Sequence, residues 1–166
     1  GKNDSASPWL AKGEKQLKRY YLCMEIGGTN LRYGVVDQDF RLLDFKKIKT
    51  EFLSGADDKG EAIRGLLLPE IDRYGYDNMI CLALSVASLM YLDRTICYSS
   101  PNIRGFDNLK LPSILQLKMG LPVYLERDVN TSLLYDIRKK GCGSSGIMIG
   151  IYIGTGLGNA MCIDGK

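Results

Sequence analysis

Two glycine-rich turns, each placed between apolar runs, constrain the fold of this chain more than any other feature. The apolar runs Tyr20–Ile26 and Ile147–Ile153 lead into the turns, which read Gly27-Gly28-Thr29-Asn30 and Gly154-Thr155-Gly156. A strand, a tight glycine turn and a second strand let backbone amides approach a phosphate group, because no Cβ stands in the way. Two such turns, with an aspartate-bearing segment between them, indicate a cleft that holds a nucleotide from both sides. Two ordinary hairpin turns are the alternative.

The composition narrows the class of protein. The chain has 166 residues, of which 45% are hydrophobic and 25% charged, as expected for a globular domain with a real core. Its net charge is +3 and its basic clusters are short, which favours a solvated surface over a nucleic-acid patch. The absence of histidine excludes imidazole catalysis and histidine-ligated metal within this chain. No apolar run approaches the roughly 18 residues that a membrane span needs, so no membrane partner is expected.

The cysteines point to a reducing compartment. There are five of them, an odd number, and no two lie at CxxC spacing. No signal peptide precedes them, so we expect a cytoplasmic protein with free thiols rather than a disulfide framework.

The first part of the chain reads as a polar leader followed by a meander. Residues 1–18 are rich in serine and lysine and are predicted to be a flexible leader. Apolar runs at 19–26, 31–37 and 41–50, joined by short polar turns, predict three neighbouring antiparallel strands. Helical spacing over Lys59–Tyr74 predicts a helix with Asp57 or Asp58 at its start and a kink at Pro69.

The remainder alternates between strands and helices. The patterns predict a buried strand at Met79–Val86, a hairpin of 89–92 and 95–99, a helix at Leu111–Met119 and a strand at 123–126. Asp128 is then predicted to cap a helix that ends at Gly141, with one apolar face formed by Val129, Leu133, Leu134 and Ile137. A meander followed by alternating elements is typical of a mixed α/β sheet.

The motifs follow one another in a specific order. They are Glu25-Ile26-Gly27-Gly28-Thr29, then Pro101-Asn102, Leu121-Pro122-Val123, Glu126-Arg127-Asp128-Val129-Asn130 and Gly154-Thr155-Gly156-Leu157-Gly158. In this order and spacing they resemble the ROK family of sugar kinases and sugar-responsive repressors, within the actin-like ATPase superfamily. The segments 99–103 and 126–130 are most similar to allose-kinase members. The resemblance implies a ribonuclease-H-like α/β lobe over 19–145, with antiparallel leading strands and flanking helices, and the start of a second lobe over 146–166.

The resemblance implies an ATP-dependent hexose kinase. The γ-phosphate would pass to a sugar hydroxyl, the 6-OH of allose or a related hexose. Asp128 follows a strand and opens a helix, where its carboxylate can accept the proton of the attacking hydroxyl; a plain helix cap is the alternative. Asn102 can both donate and accept, which suits two neighbouring sugar hydroxyls; a turn residue after Pro101 is the alternative.

The other site residues follow from the same resemblance. Arg127 and Ser88 join Asn102 and Asp128 as sugar contacts, the two glycine turns bind the ATP phosphates, and Glu25 is the candidate Mg²⁺ ligand. Family members usually have Asp in place of Glu25, and many have Lys in place of Asn30. The loop 85–88 lacks the glycine and proline that the family usually has there.

The resemblance also places the family's zinc motif, and further sugar contacts, beyond Lys166. We therefore expect the chain to be part of a longer protein, without zinc and inactive by itself. A sugar-sensing regulator and a sugar-binding module without kinase activity are the alternatives, and a homodimer is left open for the whole protein.

Overall fold

The computed structural model describes residues 18–142, 145–154 and 156–165. Its elements are β1 (Tyr20–Ile26), β2 (Asn30–Asp37), β3 (Leu42–Lys49), α1 (Glu51–Ser54), α2 (Lys59–Tyr74), a 3₁₀ turn (Tyr76–Asn78), β4 (Met79–Val86), β5 (Leu89–Met90), β6 (Cys97–Ser99), α3 (Leu111–Met119), β7 (Val123–Arg127), α4 (Asp128–Lys140), β8 (Ile147–Ile153) and β9 (Leu157–Ile163). Residues 1–17 of the leader predicted over 1–18, together with Thr155, lie outside the described residues.

A five-stranded mixed sheet organises the molecule. Its strand order is β3-β2-β1-β4-β7, with β1, β2 and β3 antiparallel neighbours and β1, β4 and β7 parallel. The predicted meander and mixed sheet are therefore confirmed. Because parallel strands end at the same edge, the segments after β1, β4 and β7 meet there. This edge carries the candidate site.

One face of the sheet supports the core. Alternate residues of β1 and β4, such as Leu22 and Leu82, are fully buried, together with Ile63 and Leu67 of α2 and Leu115 of α3. The period of two in the strands and the helical period in α2 and α3 bring these apolar positions onto facing surfaces. The core thus lies between the sheet and two helices. It holds in place the strands whose ends form the edge that carries the candidate site.

Local capping explains where the helices begin and end. The Asp58 carboxylate accepts a hydrogen bond from Glu61 N at 2.9 Å, which confirms the predicted start of α2. Gly120 and Gly141 adopt the left-handed conformation after α3 and α4, as predicted for Gly141. Helix α2 continues through Pro69 to Tyr74. No helix in the described ranges has the length and apolar character needed to cross a membrane.

Two details of α4 correct the sequence prediction. Arg127 occupies the cap position and Asp128 is the first helical residue, so the prediction of Asp128 as the cap is wrong. Leu134 is half exposed, whereas Val129 and Leu133 are buried. The buried residues lie four apart on one stripe, and Leu134 lies about 100° around the helix from Leu133.

The hairpin β8–β9 stands apart from the main sheet and packs on α4. Val129 and Leu133 form a small second cluster with Ala160 and Cys162 of the hairpin. Tyr152 Oη also donates a hydrogen bond to Asp136 Oδ2 at 3.0 Å. The second glycine turn, at the tip of this hairpin, is therefore positioned by α4.

Candidate active site

The first glycine turn joins β1 to β2 and is tied to the chain beyond β3. Gly27 N donates to Asn30 O at 3.0 Å, which closes the turn. The hydroxyl of Thr50, a residue only 1% exposed, donates to Gly27 O at 2.6 Å. The sequence analysis missed Thr50, since no local pattern links it to a turn so distant along the chain.

Asn102 lies between the two glycine turns. A Cβ added to Gly28 would stand 2.8 Å from Asn102 Cβ, which is too close for any residue other than glycine. On the other side, a Cβ added to Gly156 would stand 3.9 Å from Asn102 Nδ2. The structure therefore brings the predicted sugar contact next to both predicted phosphate turns.

The second glycine turn is closed by a backbone hydrogen bond from Gly154 N to Gly156 O at 2.9 Å. Just beyond it, Gly158 lies against the first turn of α4, where an added Cβ would overlap Val129 Cγ1. This close approach brings the hairpin tip up to the segment that carries Asp128. Thr155, also predicted to contact phosphate, lies outside the described residues.

Asp128 lies where β7 passes into α4, with Oδ1 accepting a hydrogen bond from Val129 N at 2.9 Å. Burial raises the pKa of its carboxyl group above the usual aspartate value. The hydrogen bond from Val129 N and the nearby charge of Arg127 oppose this rise in pKa, whereas the charge of Glu25 adds to it. A desolvated carboxylate at a cleft wall is suited to accept a proton from an alcohol.

Glu126 anchors the segment on either side of Asp128, a role that the sequence analysis did not assign. Its Oε1 accepts from Arg127 N at 2.9 Å and Asn130 Nδ2 at 2.8 Å, and Oε2 accepts from Arg94 Nε at 3.1 Å. Burial opposes the charged form, but these donors outweigh it and lower the pKa of Glu126. The sequence signal that could have indicated this role is the position of Glu126 as the first residue of the Glu-x-Asp-x-Asn string.

Arg127 carries an unsatisfied donor. Its Nε is buried and has no hydrogen-bond partner among the residues that the structure describes. A buried donor without a partner is costly, so an acceptor oxygen from a ligand would be favourable there.

Ser88 is buried and its hydroxyl group is hydrogen-bonded to that of Ser100. Its Oγ accepts a hydrogen bond from Ser100 Oγ at 2.7 Å and lies 2.8 Å from Leu89 O and 3.1 Å from Ser99 O, as a donor to these carbonyls. These contacts hold the β5–β6 hairpin together. Ser88 borders the cleft, but its hydroxyl is already committed to its own chain.

Glu25, the candidate metal ligand, is paired with Arg32. The two residues are directly opposite in the β1–β2 register, and Arg32 Nη1 lies 2.7 Å from Glu25 Oε2. Both side chains are partly exposed and border the cleft. Arg32 was missed by the sequence analysis because its proximity depends on strand register.

The carboxylates fit a magnesium ion that is shared with a nucleotide. Within 18–142, 145–154 and 156–165 there is no group of three or more His, Cys, Asp or Glu side chains that could hold a metal. Mg²⁺ in phosphoryl-transfer sites commonly has one or two carboxylates, with waters and phosphate oxygens as its other ligands. Glu25 and Asp128 border the same cleft and can supply such oxygens.

All the described residues that the sequence predicted for the site line one cleft. Its volume is about 540 Å³, within the range typical of small-ligand sites. A larger cavity of about 950 Å³ lies on the open face of the sheet and shares Glu25, Arg32 and Asp128 with it. The glycine turns and Asn102 border the smaller cleft, so that cleft is the candidate active site.

The sequence that forms these turns around Asn102 and Asp128 also matches a known protein family. The sequence profile of the ROK family matches residues 21–166. The chain belongs to the ROK family. It is 28% identical over 145 residues to a glucokinase of Streptomyces coelicolor and 30% identical over 139 residues to a β-glucoside kinase of Klebsiella pneumoniae.

The chain spans less than half the length of these two relatives, 43% and 44%, while the alignments cover 86% and 82% of the chain itself. Its fold is similar to the crystal structure of a ROK family glucokinase from Streptomyces griseus in complex with glucose and AMPPNP. The TM-score is 0.73 at 27% identity, covering 89% of this chain and 45% of that one. The predicted actin-like ATPase fold is thereby confirmed.

Proposed function

We propose that the whole protein is an ATP-dependent hexose kinase that transfers the γ-phosphate to a sugar hydroxyl. The observation that carries the proposal is the single cleft in which Asn102 lies between two glycine turns and Asp128 lines the wall. Membership of the ROK family and similarity to sugar kinases support it.

Each part of the cleft has a task in this reaction. The glycine turns border the cleft, and those of their backbone amides that do not close the turns bind phosphate oxygens. Asn102 donates to and accepts from sugar hydroxyls, and Arg127 Nε donates to a sugar oxygen. Glu25 would hold Mg²⁺, which would neutralise charge on the phosphates when bound.

The chemical step requires one proton acceptor. The sugar hydroxyl oxygen forms a bond to the γ-phosphorus while the bond to the bridging oxygen of ADP breaks. The hydroxyl proton passes to the Asp128 carboxylate and is later released to water. The desolvated setting of Asp128 makes it a stronger base than an ordinary exposed aspartate.

The sugar itself is a finer proposal. Similarity of segments 99–103 and 126–130 to allose-kinase members supports allose, or a related hexose, phosphorylated at the 6-OH. Epimers differ in the direction of one hydroxyl group. We expect Arg127 Nε to discriminate between them, because only one epimer would place a hydroxyl oxygen where it can accept a hydrogen bond from this nitrogen.

A sugar panel tests the proposal. Purified whole protein is incubated with MgATP and allose, glucose, fructose, mannose or N-acetylglucosamine, and ADP release is followed. We expect sugar-dependent ADP release that is strongest with allose. Release with another hexose alone would support the kinase and overturn allose. Sugar binding without ADP release would instead support the regulator or the binding module.

A further inference from the structure

The Glu25–Arg32 pair places a cation beside the first glycine turn. Arg32 is on β2, the strand that leaves this turn, and its guanidinium lies 2.7 Å from the Glu25 carboxylate. Side chains on a strand alternate between faces, so Asn30 and Arg32 project to the same face, two residues apart. Arg32 is therefore placed to reach a group held by the turn.

The charges of the cleft distinguish Arg32 from the other cation. In the described part of the chain, Arg32 and Arg127 are the two cationic residues that line the cleft. Arg127 is at the end of β7, and the strand order puts β1 and β4 between β7 and β2. Two strands therefore separate the two arginines, and Arg32 is the one on the strand that leaves the first glycine turn.

The Glu25–Arg32 pair is more exposed to solvent than an ion pair that serves only to stabilise a core. The side chains of Arg32 and Glu25 are 37% and 41% exposed, so both can exchange partners without disturbing the core. Pairs with this exposure contribute little to stability. A triphosphate supplies several oxygens that match the fork of a guanidinium, and charge-assisted hydrogen bonds of this kind are strong.

We propose that Arg32 is a phosphate-binding residue that rests on Glu25 until nucleotide binds. When MgATP enters, the Glu25 carboxylate turns to the metal and Arg32 donates to phosphate oxygens. No covalent step is involved, and the two states differ by an exchange of ionic partners. This inference rests on the proposed kinase function and adds to it a residue outside the predicted site.

Nucleotide binding to the whole protein tests this exchange. Calorimetry measures ATP affinity with Mg²⁺ and, separately, with the metal chelated. Arg32→Gln is expected to weaken MgATP binding by about tenfold or more, since it removes a charge-assisted contact. Glu25→Gln is expected to strengthen binding of metal-free ATP, because Arg32 is released from its partner and a negative charge is removed.

A matched control separates the proposal from general effects of surface charge. Arg64 is 38% exposed and pairs with Glu61 at 2.9 Å on α2, away from the cleft. Arg64→Gln is expected to leave nucleotide affinity unchanged. Should Arg32→Gln fail to fold, Arg32→Lys is the second variant. It keeps the charge but loses the fork of the guanidinium, so MgATP is expected to bind more weakly than to wild type, and an affinity equal to wild type would overturn the role of Arg32.

The outcomes distinguish this inference from the function on which it rests. If the wild type binds no nucleotide, the proposed kinase function fails. If the wild type binds MgATP and Arg32→Gln binds it equally well, only the role of Arg32 is overturned. Equal losses in Arg32→Gln and Glu25→Gln for metal-free ATP would also overturn it, since that pattern indicates a structural pair.

Discussion

At the scale of single residues, Asp128 lines the cleft while its carboxylate is partly removed from water. Asp128→Asn retains the shape and can still accept the hydrogen bond from Val129 N, but it cannot take up a proton. We expect kcat to fall by about 10²–10⁴, with sugar affinity changing far less. Steady-state kinetics with direct sugar-binding measurements checks this. Turnover close to wild type would show that Asp128 is only a structural residue.

The pH dependence of the reaction follows from the surroundings of Asp128. Burial raises the pKa of this carboxyl group, so the acidic limb of kcat/KM should lie above the usual aspartate value of about 3.9. Arg127 lowers this pKa and Glu25 raises it. Arg127→Asn should therefore move the limb to higher pH, and Glu25→Gln should move it to lower pH. Shifts in the same direction in a pH–rate series would contradict this account.

At the scale of elements, the glycine turn after β1 lies so close to Asn102 that a side chain at position 28 would clash with it. In Gly28→Ala the new Cβ would stand 2.8 Å from Asn102 Cβ and 3.3 Å from Asn102 O, so the turn and Asn102 must separate. We expect weaker binding of both nucleotide and sugar, and a loss of about 1–3 kcal/mol in the free energy of unfolding. Calorimetry and denaturant unfolding measure the two effects.

Gly65 provides the control for this substitution. It is exposed in α2, and an added Cβ would meet nothing within 4 Å. Gly65→Ala should raise the free energy of unfolding by about 0.5–1 kcal/mol and leave ligand binding unchanged. If Gly28→Ala behaved like Gly65→Ala, the close contact with Asn102 would have no functional role.

The sequence predicted elements better than it predicted their contacts. Strands such as β4 and helices such as α2 were predicted because alternation and helical spacing are local properties. The 4-residue α1 was missed because it is too short to show periodicity. Thr50 and Arg32 were missed for another reason: their partners are set by strand register and by the path of the chain beyond β3. No local pattern contains that information.

At the scale of the whole molecule, the cleft depends on how the β8–β9 hairpin docks on α4. An added Cβ on Gly158 would overlap Val129, so Gly158→Ala should push the hairpin away and weaken nucleotide binding. The strain should lower the free energy of unfolding by about 1–3 kcal/mol. Val129→Ala in the same chain removes the overlapping methyl groups. The double variant should therefore recover at least half of the nucleotide affinity that Gly158→Ala loses, as measured by calorimetry. Failure of the double variant to recover would show that Gly158 acts independently of this contact.

The position of Asn102 against both glycine turns has a thermodynamic consequence. A side chain that borders the two proposed ligand sites would link them, so each ligand should change the affinity for the other by the same factor. Sugar affinity measured with and without a non-hydrolysable nucleotide should reveal this cooperativity, and the reverse titration should return the same factor. Asn102→Ala should weaken sugar binding and bring the factor close to one. A factor unchanged in Asn102→Ala would mean that the linkage passes through the hairpin and α4 instead.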